Sequence, residues 1–417
     1  LQTNALALID PTKINALTND QLQTLTSKQL SAFSANQLNA LTWDKLQAIT
    51  PDAFQDLTST QASAIETSQL WTLTTAQVQS LSTNFLTALS NAKLAGFDET
   101  QIAALSSSQV KVLSNTQLNS MSSARLKALD TADIAAISTG TVGSLNTLAL
   151  SSLSSAQIGA LTSSQAKALT ADQIKNLGST LSGLSTSAIS VLTGSQLSTL
   201  TAADIATMAT AQIRALNSAA VASLTANQID GLISNQLGAL TSSQSSSMSS
   251  VQINSLTTSQ FQALSTQGVA GLSTDVISNL TTDHIKALSS SQVAALSTAQ
   301  LQAMTPLQFA SVDAEDISNM SSSQFTGLTA TQLNQLSTSQ IAAFGTKQIA
   351  GLRNTQIAGI STDNIAALTS NILAAMSDLQ LKALTQAQVT ALSTDQRPAF
   401  STAQINTITL NGRRTMT

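Results

Sequence analysis

The stretch "STAQLQAMTPLQFASV", residues 297–312, contains one pattern twice: Ser or Thr, two variable residues, Gln, a large apolar residue, a variable residue, a small residue and a second large apolar residue. Ser and Thr are favoured as helix N-caps, and Ser/Thr-x-x-Gln is a capping box in which two side chains satisfy the first free backbone N–H groups. The apolar residue before the cap and the one four residues after it have the spacing of a hydrophobic staple. The pattern therefore predicts a new helix at every eighth residue.

The same pattern extends along nearly the whole chain. Large apolar residues recur every eight positions from residue 17 to residue 177, shift by one at the seven-residue unit "GSTLSGL" (178–184), and then continue to residue 408. About fifty units in 417 residues are typical of a solenoid, in which each unit contacts only its neighbours. We label the eight positions a to h, starting from the Ser or Thr.

Proline positions give an independent indication of where helices begin. Pro11, Pro51 and Pro306 all occupy position b. Position b is the first helical residue after the cap. A backbone N–H there makes no bond within the helix, so proline, which lacks the N–H, is tolerated. The fourth proline, Pro398, lies at position f beside Arg397, which replaces the usual apolar residue at position e. We expect a local distortion there.

Two other structures for the octad can be compared with separate short helices. One continuous helix would need about 4 residues per turn instead of 3.6, so its apolar face would rotate away from a neighbour. A β-solenoid is the weaker alternative, because its strands need apolar residues at alternate positions and many β-branched residues. A helix of under two turns is unstable alone, so the units must stack. We predict an all-α solenoid of very short capped helices, one per eight-residue repeat, stacked into an elongated rod.

The solenoid is expected to hold two or three helices per coil, with positions e, g and h inside and b, c and f outside. We predict a single octapeptide-repeat solenoid over residues 1–408, with the one-residue phase slip at 178–184 as a bend or twist defect and not a domain boundary. A C-terminal tail, residues 409–417, follows and carries Arg413 and Arg414. Because residue 1 is Leu, we expect a processed chain or a segment of a longer one.

The composition excludes several classes of function. Charged residues make up 9% of the chain, against about 25% in ordinary soluble domains. The net charge of −4 and the lack of a basic run argue against nucleic-acid binding. The absence of Cys removes disulfides and thiolate metal sites. Apolar runs never reach the ~18 residues that span a bilayer, so we predict no membrane span and no cofactor.

A few residues could carry chemistry, and each has a simpler interpretation. His284, beside Asp283, occupies a Gln position, so replacement of a capping Gln is favoured over a metal or acid–base role. Asp313, Glu315 and Asp316 could form a weak calcium site, but acids are favoured at a helix start anyway and the spacing is not that of a calcium loop. One His and no Gly-x-Ser-x-Gly elbow do not support a triad. We therefore predict no catalytic, cofactor-binding or metal-binding residue, and no enzyme.

Other departures from the pattern concern the surface and the stability of single units. Trp43 at position b and Trp71 at position f are expected to point outward, either as a contact for a partner or a sugar or as scattered exposed aromatics. The tract "TSSQSSSM" (241–248) has Ser245 at position e and is expected to be the least stable coil. Some units lack a capping hydroxyl, which we interpret as tolerated drift; they begin at Ala209, Ile233, Gly345 and Arg353.

The octads "SSAQIGAL" (154–161), "SSSQVAAL" (289–296) and "STSQIAAF" (337–344) resemble the repeats of very large secreted bacterial surface proteins of adhesin-like or structural type. The resemblance covers nearly all of the chain. It implies an extracellular or cell-surface location and a scaffold or adhesive role, and it carries no catalytic residue to transfer.

These observations favour a non-enzymatic structural subunit of an extracellular filament, sheath or surface layer. Self-association into a homopolymer is the expected partnership, with a surface glycan or another cell-surface component as a further partner. The alternative is a monomeric adhesin stalk or spacer that presents a binding domain outside this segment. Ice or carbohydrate binding by the Ser/Thr array is disfavoured, because capping uses those hydroxyls.

Overall fold

A computed structural model describes residues 2–409 of the chain. Contacts between residues divide the chain into two compact units, Leu1–Leu200 and Thr201–Thr417. Within residues 2–409 both units consist of short helices, 47 α-helices and four 3₁₀-helices, and contain no β-strand. The prediction of a helical solenoid with one short helix per octad is confirmed, and the β-solenoid alternative is wrong.

The 3₁₀-helices are Pro11–Ala16, Pro51–Asp56, Gly178–Gly183 and Arg397–Ala399. The α-helices of the first unit are Thr3–Ala7, Asn19–Gln23, Ser27–Leu30, Ala35–Ala40, Trp43–Ala48, Ser59–Ala64, Thr67–Thr72, Thr75–Ser80, Thr83–Ala88, Asn91–Leu94, Glu99–Ala103, Ser107–Val110, Asn115–Asn119, Ser123–Ala128, Thr131–Ala136, Thr139–Gly143, Thr147–Ser151, Ser155–Gly159, Ser163–Ala168, Ala171–Asn176, Thr186–Ile189 and Gly194–Leu197.

The α-helices of the second unit are Ala202–Ala206, Thr210–Ala215, Ser218–Ser223, Ala226–Asp230, Ser234–Gly238, Ser242–Ser246, Ser250–Asn254, Thr258–Gln262, Thr266–Gly271, Thr274–Ser278, Thr282–Lys286, Ser290–Ala295, Thr298–Ala303, Pro306–Ala310, Ala314–Asn319, Ser322–Gly327, Ala330–Asn334, Thr338–Ala342, Thr346–Gly351, Asn354–Gly359, Thr362–Ala367, Ser370–Ala374, Asp378–Ala383, Gln386–Thr390 and Thr402–Thr409.

The capping box explains where most of the helices begin. The Thr305 hydroxyl accepts from the backbone N–H of Gln308 at 3.2 Å, and Oε1 of Gln308 accepts from the backbone N–H of Thr305 at 2.7 Å. Pro306 follows as the first helical residue, as predicted. Met304 before the cap is also extended, with φ −62° and ψ 136°. Two extended residues, at positions h and a, therefore form a corner between successive helices.

Each coil of the solenoid contains three helices. Helix Ser107–Val110 packs against Thr83–Ala88 in the preceding coil and against Thr131–Ala136 in the following one. Both neighbours are three helices away along the chain, and three octads of eight residues give a coil of 24 residues. The second unit has the same spacing, since Ser242–Ser246 packs against Thr266–Gly271. The structure thus selects three helices from the two or three that were expected.

The interior is formed by positions d, e and h, and not by e, g and h as the pattern predicted. In the octad from Ser297, Gln300 at d, Leu301 at e and Met304 at h are at most 3% exposed, whereas Ala303 at g is half-buried. Position g instead lies over position b of the preceding coil. A Cβ on Gly351 would overlap the backbone oxygen of Ser322. Small residues at g therefore permit close stacking between coils, although they lie outside the core.

The seven-residue unit is accommodated inside the first compact unit. It forms the 3₁₀-helix Gly178–Gly183, which lacks a side-chain cap and begins at Gly178 with a left-handed φ of 53°. Gln196, in the second octad after this unit, bonds to carbonyls 30 and 27 residues earlier, whereas Gln165, before the unit, bonds to carbonyls 31 and 28 residues earlier. The missing residue is thus taken up within a single coil.

The C-terminal end of the described chain shows the expected distortion at Pro398. A three-residue 3₁₀-helix, Arg397–Ala399, replaces the α-helix there, and Nε of Arg397 donates to the backbone oxygen of Leu392 at 3.2 Å. The last helix, Thr402–Thr409, includes the first residue of the predicted tail. Arg413 and Arg414 lie outside the described residues, and the single solenoid over residues 1–408 stays a prediction.

Candidate functional site

The most regular polar site in the molecule is the glutamine at position d, which we call the corner glutamine. Oε1 of Gln109 accepts from the backbone N–H of Ser106 at 2.8 Å. Its Nε2 donates to the backbone oxygens of Val78 and Leu81, at 2.9 and 2.8 Å. Gln109 is 3% exposed. One side chain thus caps its own helix and also bonds to a corner of the preceding coil.

This arrangement is repeated throughout both units. Nε2 donates to the two carbonyls 31 and 28 residues earlier in Gln37, Gln61, Gln77, Gln101, Gln109, Gln117, Gln157, Gln165, Gln173, Gln236, Gln244, Gln252, Gln300, Gln308, Gln324, Gln332, Gln356, Gln380 and Gln388. The bonding has one direction: amide donors face the preceding coil, and carbonyl acceptors face the following one. The carbonyl at position h, such as that of Leu81, receives a donor in this way, and the one at position e, such as that of Val78, receives a second donor beside a backbone N–H.

Units without a capping hydroxyl keep the glutamine half of the box. The backbone N–H of the cap still donates to Oε1 of the corner glutamine, at 2.7 to 2.9 Å, in the pairs Ala209–Gln212, Ile233–Gln236, Gly345–Gln348 and Arg353–Gln356. The amide alone is therefore sufficient to start a helix in these units.

Some corners use an asparagine from the preceding coil, which the sequence interpretation missed. Oδ1 of Asn119, at position f, accepts from the backbone N–H of Asn146 at 2.9 Å, where Ala149 replaces the corner glutamine. The same bond is made to Thr42 by Asn15, where Lys45 is at position d, and to Ser361 by Asn334, where Asn364 is at position d. An Asn at position f does not by itself predict this bond, because Asn39 makes it to Glu66 where Gln69 is at position d, whereas Oδ1 of Asn254, thirty residues before His284, has no partner.

His284 replaces a corner glutamine and makes part of its contacts, one to the cap hydroxyl and one to a carbonyl of the preceding coil. It is 4% exposed, its Nδ1 lies 2.9 Å from the Thr281 hydroxyl, and its Nε2 lies 2.9 Å from the backbone oxygen of Leu256. The carbonyl can only accept, so Nε2 carries the proton and Nδ1 accepts from the hydroxyl. Both ring nitrogens are used, which leaves no lone pair for a metal. Asp283 beside it is exposed.

Asp133 places a carboxylate where most units have an amide. It is 1% exposed, and its Oδ1 accepts from the Ser107 hydroxyl at 2.9 Å. Its Oδ2 accepts from the backbone N–H of Asp130 at 3.1 Å. Burial raises the pKa of Asp133, against the opposing effect of the hydrogen bond from Ser107. When ionised, this side chain cannot donate to the preceding coil.

The three carboxylates near residue 313 do not converge on one point. Asp316 is 8% exposed and its Oδ1 accepts from the Ser290 hydroxyl at 2.5 Å, whereas Asp313 and Glu315 are exposed. Burial raises the pKa of Asp316, and the charges of Asp313 and Glu315 add to that effect. Among residues 2–409, no group of three His, Cys, Asp or Glu side chains could hold a metal ion.

Both tryptophans lie on the surface of neighbouring helices. Trp43 and Trp71 are 64% and 66% exposed, whereas every Phe is at most 4% exposed. Their helices, Trp43–Ala48 and Thr67–Thr72, pack against each other in consecutive coils. The sequence interpretation placed both outward but could not bring them together, because the coil length was unknown.

Ser245 places a hydroxyl at a position of the core that is apolar in most octads. It is fully buried at position e, and its hydroxyl has no hydrogen-bond partner. A buried hydroxyl without a partner costs about 1–3 kcal/mol. This supports the expectation that residues 241–248 form a less stable coil.

Within residues 2–409, no helix combines the length and the apolar character needed to cross a membrane.

A family model described as ALTTAQ repeat matches residues 269–306 and 277–314. No curated protein matches the chain. The solved structure "Structure of APUM23-GGAAUUGACGG" aligns with 98% of this chain and 95% of its own, at 11% identity and a TM-score of 0.18, which is too low to carry an argument. The family match and the helices together identify a helical repeat protein.

Proposed function

We propose that the chain is a non-enzymatic structural protein, a subunit of an extracellular filament, sheath or surface layer. The observation that carries this proposal is the repeated, one-directional bonding of the corner glutamines. Each coil offers carbonyl acceptors to the next coil and amide donors to the previous one, as Gln109 does toward Leu81. Repetition of one such unit yields length and a periodic surface.

The periodic surface supports self-association. Positions b and c are polar in most octads, so equivalent groups recur at a fixed interval on each face. A periodic polar surface matches a second copy of itself at many points, and weak contacts add when many form together. The resemblance of the octads to secreted bacterial surface proteins supports an extracellular location.

Electron microscopy of the purified chain over a range of concentrations tests the proposal. Ordered polymers that grow with concentration are the expected result. Monodisperse single particles at every concentration would contradict it and favour the monomeric stalk or spacer. Light scattering on the same samples gives the mass of the species in solution.

A pair of variants tests whether exposed polar faces mediate the contact. Ser108 and Ser291 lie at position c and are exposed. The double substitution S108E and S291E is expected to weaken association, because like charges would repeat along the contact. The matched double alanine variant is the control and is expected to assemble as the unsubstituted chain does. Equal assembly by both variants would contradict association through these faces.

A further inference from the structure

The two tryptophans are closer in the fold than their separation in sequence suggests. Residues at position b lie beneath position g three octads later, as Thr67 does beneath Gly96. By the same spacing Trp43 lies beneath Thr72, the chain neighbour of Trp71. Nε2 of Gln47 donates to the backbone oxygen of Thr72 at 2.9 Å and fixes the two helices in this position. The indoles therefore stand on one face of the solenoid, one coil apart.

The exposure of this pair contrasts with the rest of the aromatic residues. All nine Phe side chains are buried, so the fold uses aromatic rings for its core wherever it can. Neither Trp43 nor Trp71 contributes to that core. Among residues 2–409, the other large exposed apolar residues lie at least 35 positions along the sequence from either indole, at Leu8, Leu148, Ile233, Val251, Leu307 and Leu379.

The surroundings of the indoles are polar and carry charges of both signs. Asp44 and Lys45 follow Trp43 directly, and Nζ of Lys45 contacts Oδ1 of Asn19 at 3.0 Å. Glu66 and Ser68 lie on the helix start that leads to Trp71. A protein partner would bind best to aromatic residues within a dry apolar patch, which this face lacks. The named charges also form no cluster of one sign, which binding of a strongly acidic or basic polymer would need.

A sugar chain fits these features. The C–H face of a sugar ring stacks on an indole, and its hydroxyls bond to neighbouring carboxylate, amide and hydroxyl groups. Stacked helices are about 8–10 Å apart, so the two indoles can contact different rings of one chain. We propose that Trp43 and Trp71 form a binding site for a linear neutral glycan, with one sugar ring on each indole.

The test uses the full chain and a set of neutral glycans. Cellulose and chitin are the insoluble probes, and cellohexaose and chitohexaose are the soluble ones. The chain has two Trp and no Tyr, so its indole emission reports this site alone. We expect retention on at least one insoluble probe and a blue shift of emission with the matching hexasaccharide. W43A and W71A are each expected to weaken binding at least tenfold, and W43F and W71F to retain most of it.

L148A, which removes an equally exposed apolar side chain from another coil, is the control and is expected to bind normally. Failure to bind any of the four probes would overturn the proposal, as would binding that W43A and W71A leave unchanged. Sedimentation shows whether the indoles instead contact a second copy of the chain. If W43A and W71A, and not L148A, convert an associated form into monomers, the indoles bind another copy and the glycan proposal is overturned. Polymer formation by the chain can succeed or fail independently of these outcomes.

Discussion

Gln109 and Asp133 occupy the same position in consecutive coils, on helices that pack against each other. Both accept the backbone N–H of their own cap, at 2.8 and 3.1 Å. Only Gln109 also donates to the preceding coil, whereas Asp133 accepts from Ser107 and leaves the carbonyl of Leu105 without the amide donor. A helix forms in both units, over Ser107–Val110 and over Thr131–Ala136. Capping therefore determines the helix, and the amide donor adds the bond between coils.

The two kinds of acid in the fold respond to pH in opposite ways. Burial raises the pKa of Asp133, so the folded chain binds its proton more tightly than the unfolded chain, and stability falls as the pH rises through that pKa. Burial also acts to raise the pKa of the cap Asp98, but hydrogen bonds from Thr100 and from the backbone of Gln101 outweigh it and lower the pKa. Stability from Asp98 is therefore lost as the pH falls.

The largest expected effect comes from removing a corner glutamine. Q109A leaves the N–H of Ser106 and the carbonyl of Leu81 without the partner that Gln109 supplies, and it removes one of two donors to the carbonyl of Val78. We expect a loss of about 2–4 kcal/mol in the free energy of unfolding. The measurement is urea unfolding, with hydrogen exchange to locate the effect. Q21A is the control, because Gln21 is exposed, and should cost about 1 kcal/mol. Equal losses would show that capping alone matters.

Replacing Asp133 by Gln is expected to supply the bond between coils that the carboxylate does not make. In D133Q the new Nε2 can donate to the carbonyl of Leu105, and we expect a gain of about 1–2 kcal/mol at pH 7. The gain should shrink in acid, because protonated Asp133 is itself neutral and can donate. Urea unfolding at pH 4 and pH 7 measures this. D172N, at an exposed carboxylate, is the control; a gain for D133Q that does not vary with pH would contradict the explanation.

A smaller effect is expected where an asparagine replaces the corner glutamine. N119A removes the acceptor for the backbone N–H of Asn146, at an expected cost of about 1 kcal/mol. A149Q should restore the acceptor within the same octad. A double-mutant cycle measures the coupling, and the cost of N119A should fall when Gln is present at residue 149. Additive effects would show that the two side chains do not serve the same N–H.

The smallest expected effect compares the contribution of the apolar core to stability with that of the corner glutamines. S245A removes a buried hydroxyl without a partner, and we expect a gain of about 0.5–1 kcal/mol, since Ala62 and Ala166 occupy position e elsewhere. S246A, next in the chain and exposed, should change little. Thermal unfolding compares the two variants. A gain from S245A larger than the loss from Q109A would assign the stability of the coil mainly to position e.

Much of the fold was predictable from the sequence because the relevant bonds are local. The bond between Thr305 and Gln308 spans three residues, and Pro306 identifies the helix start without any knowledge of the fold. The apolar residues at positions e and h likewise follow from an eight-residue period. His284 was correctly assigned to the glutamine position for the same reason.

The remaining features depend on how the chain turns at its corners. The number of helices per coil follows from the direction of the two extended residues at h and a, which the octad pattern does not encode. That number decides that Gln109 reaches Leu81, that Asn119 meets Asn146, and that Trp43 and Trp71 share a face. Amino-acid sequence alone determined the short helices, because their bonds close within four residues. Tertiary structure alone decided which residues meet 25 to 31 positions apart, because those contacts exist only after a coil has closed.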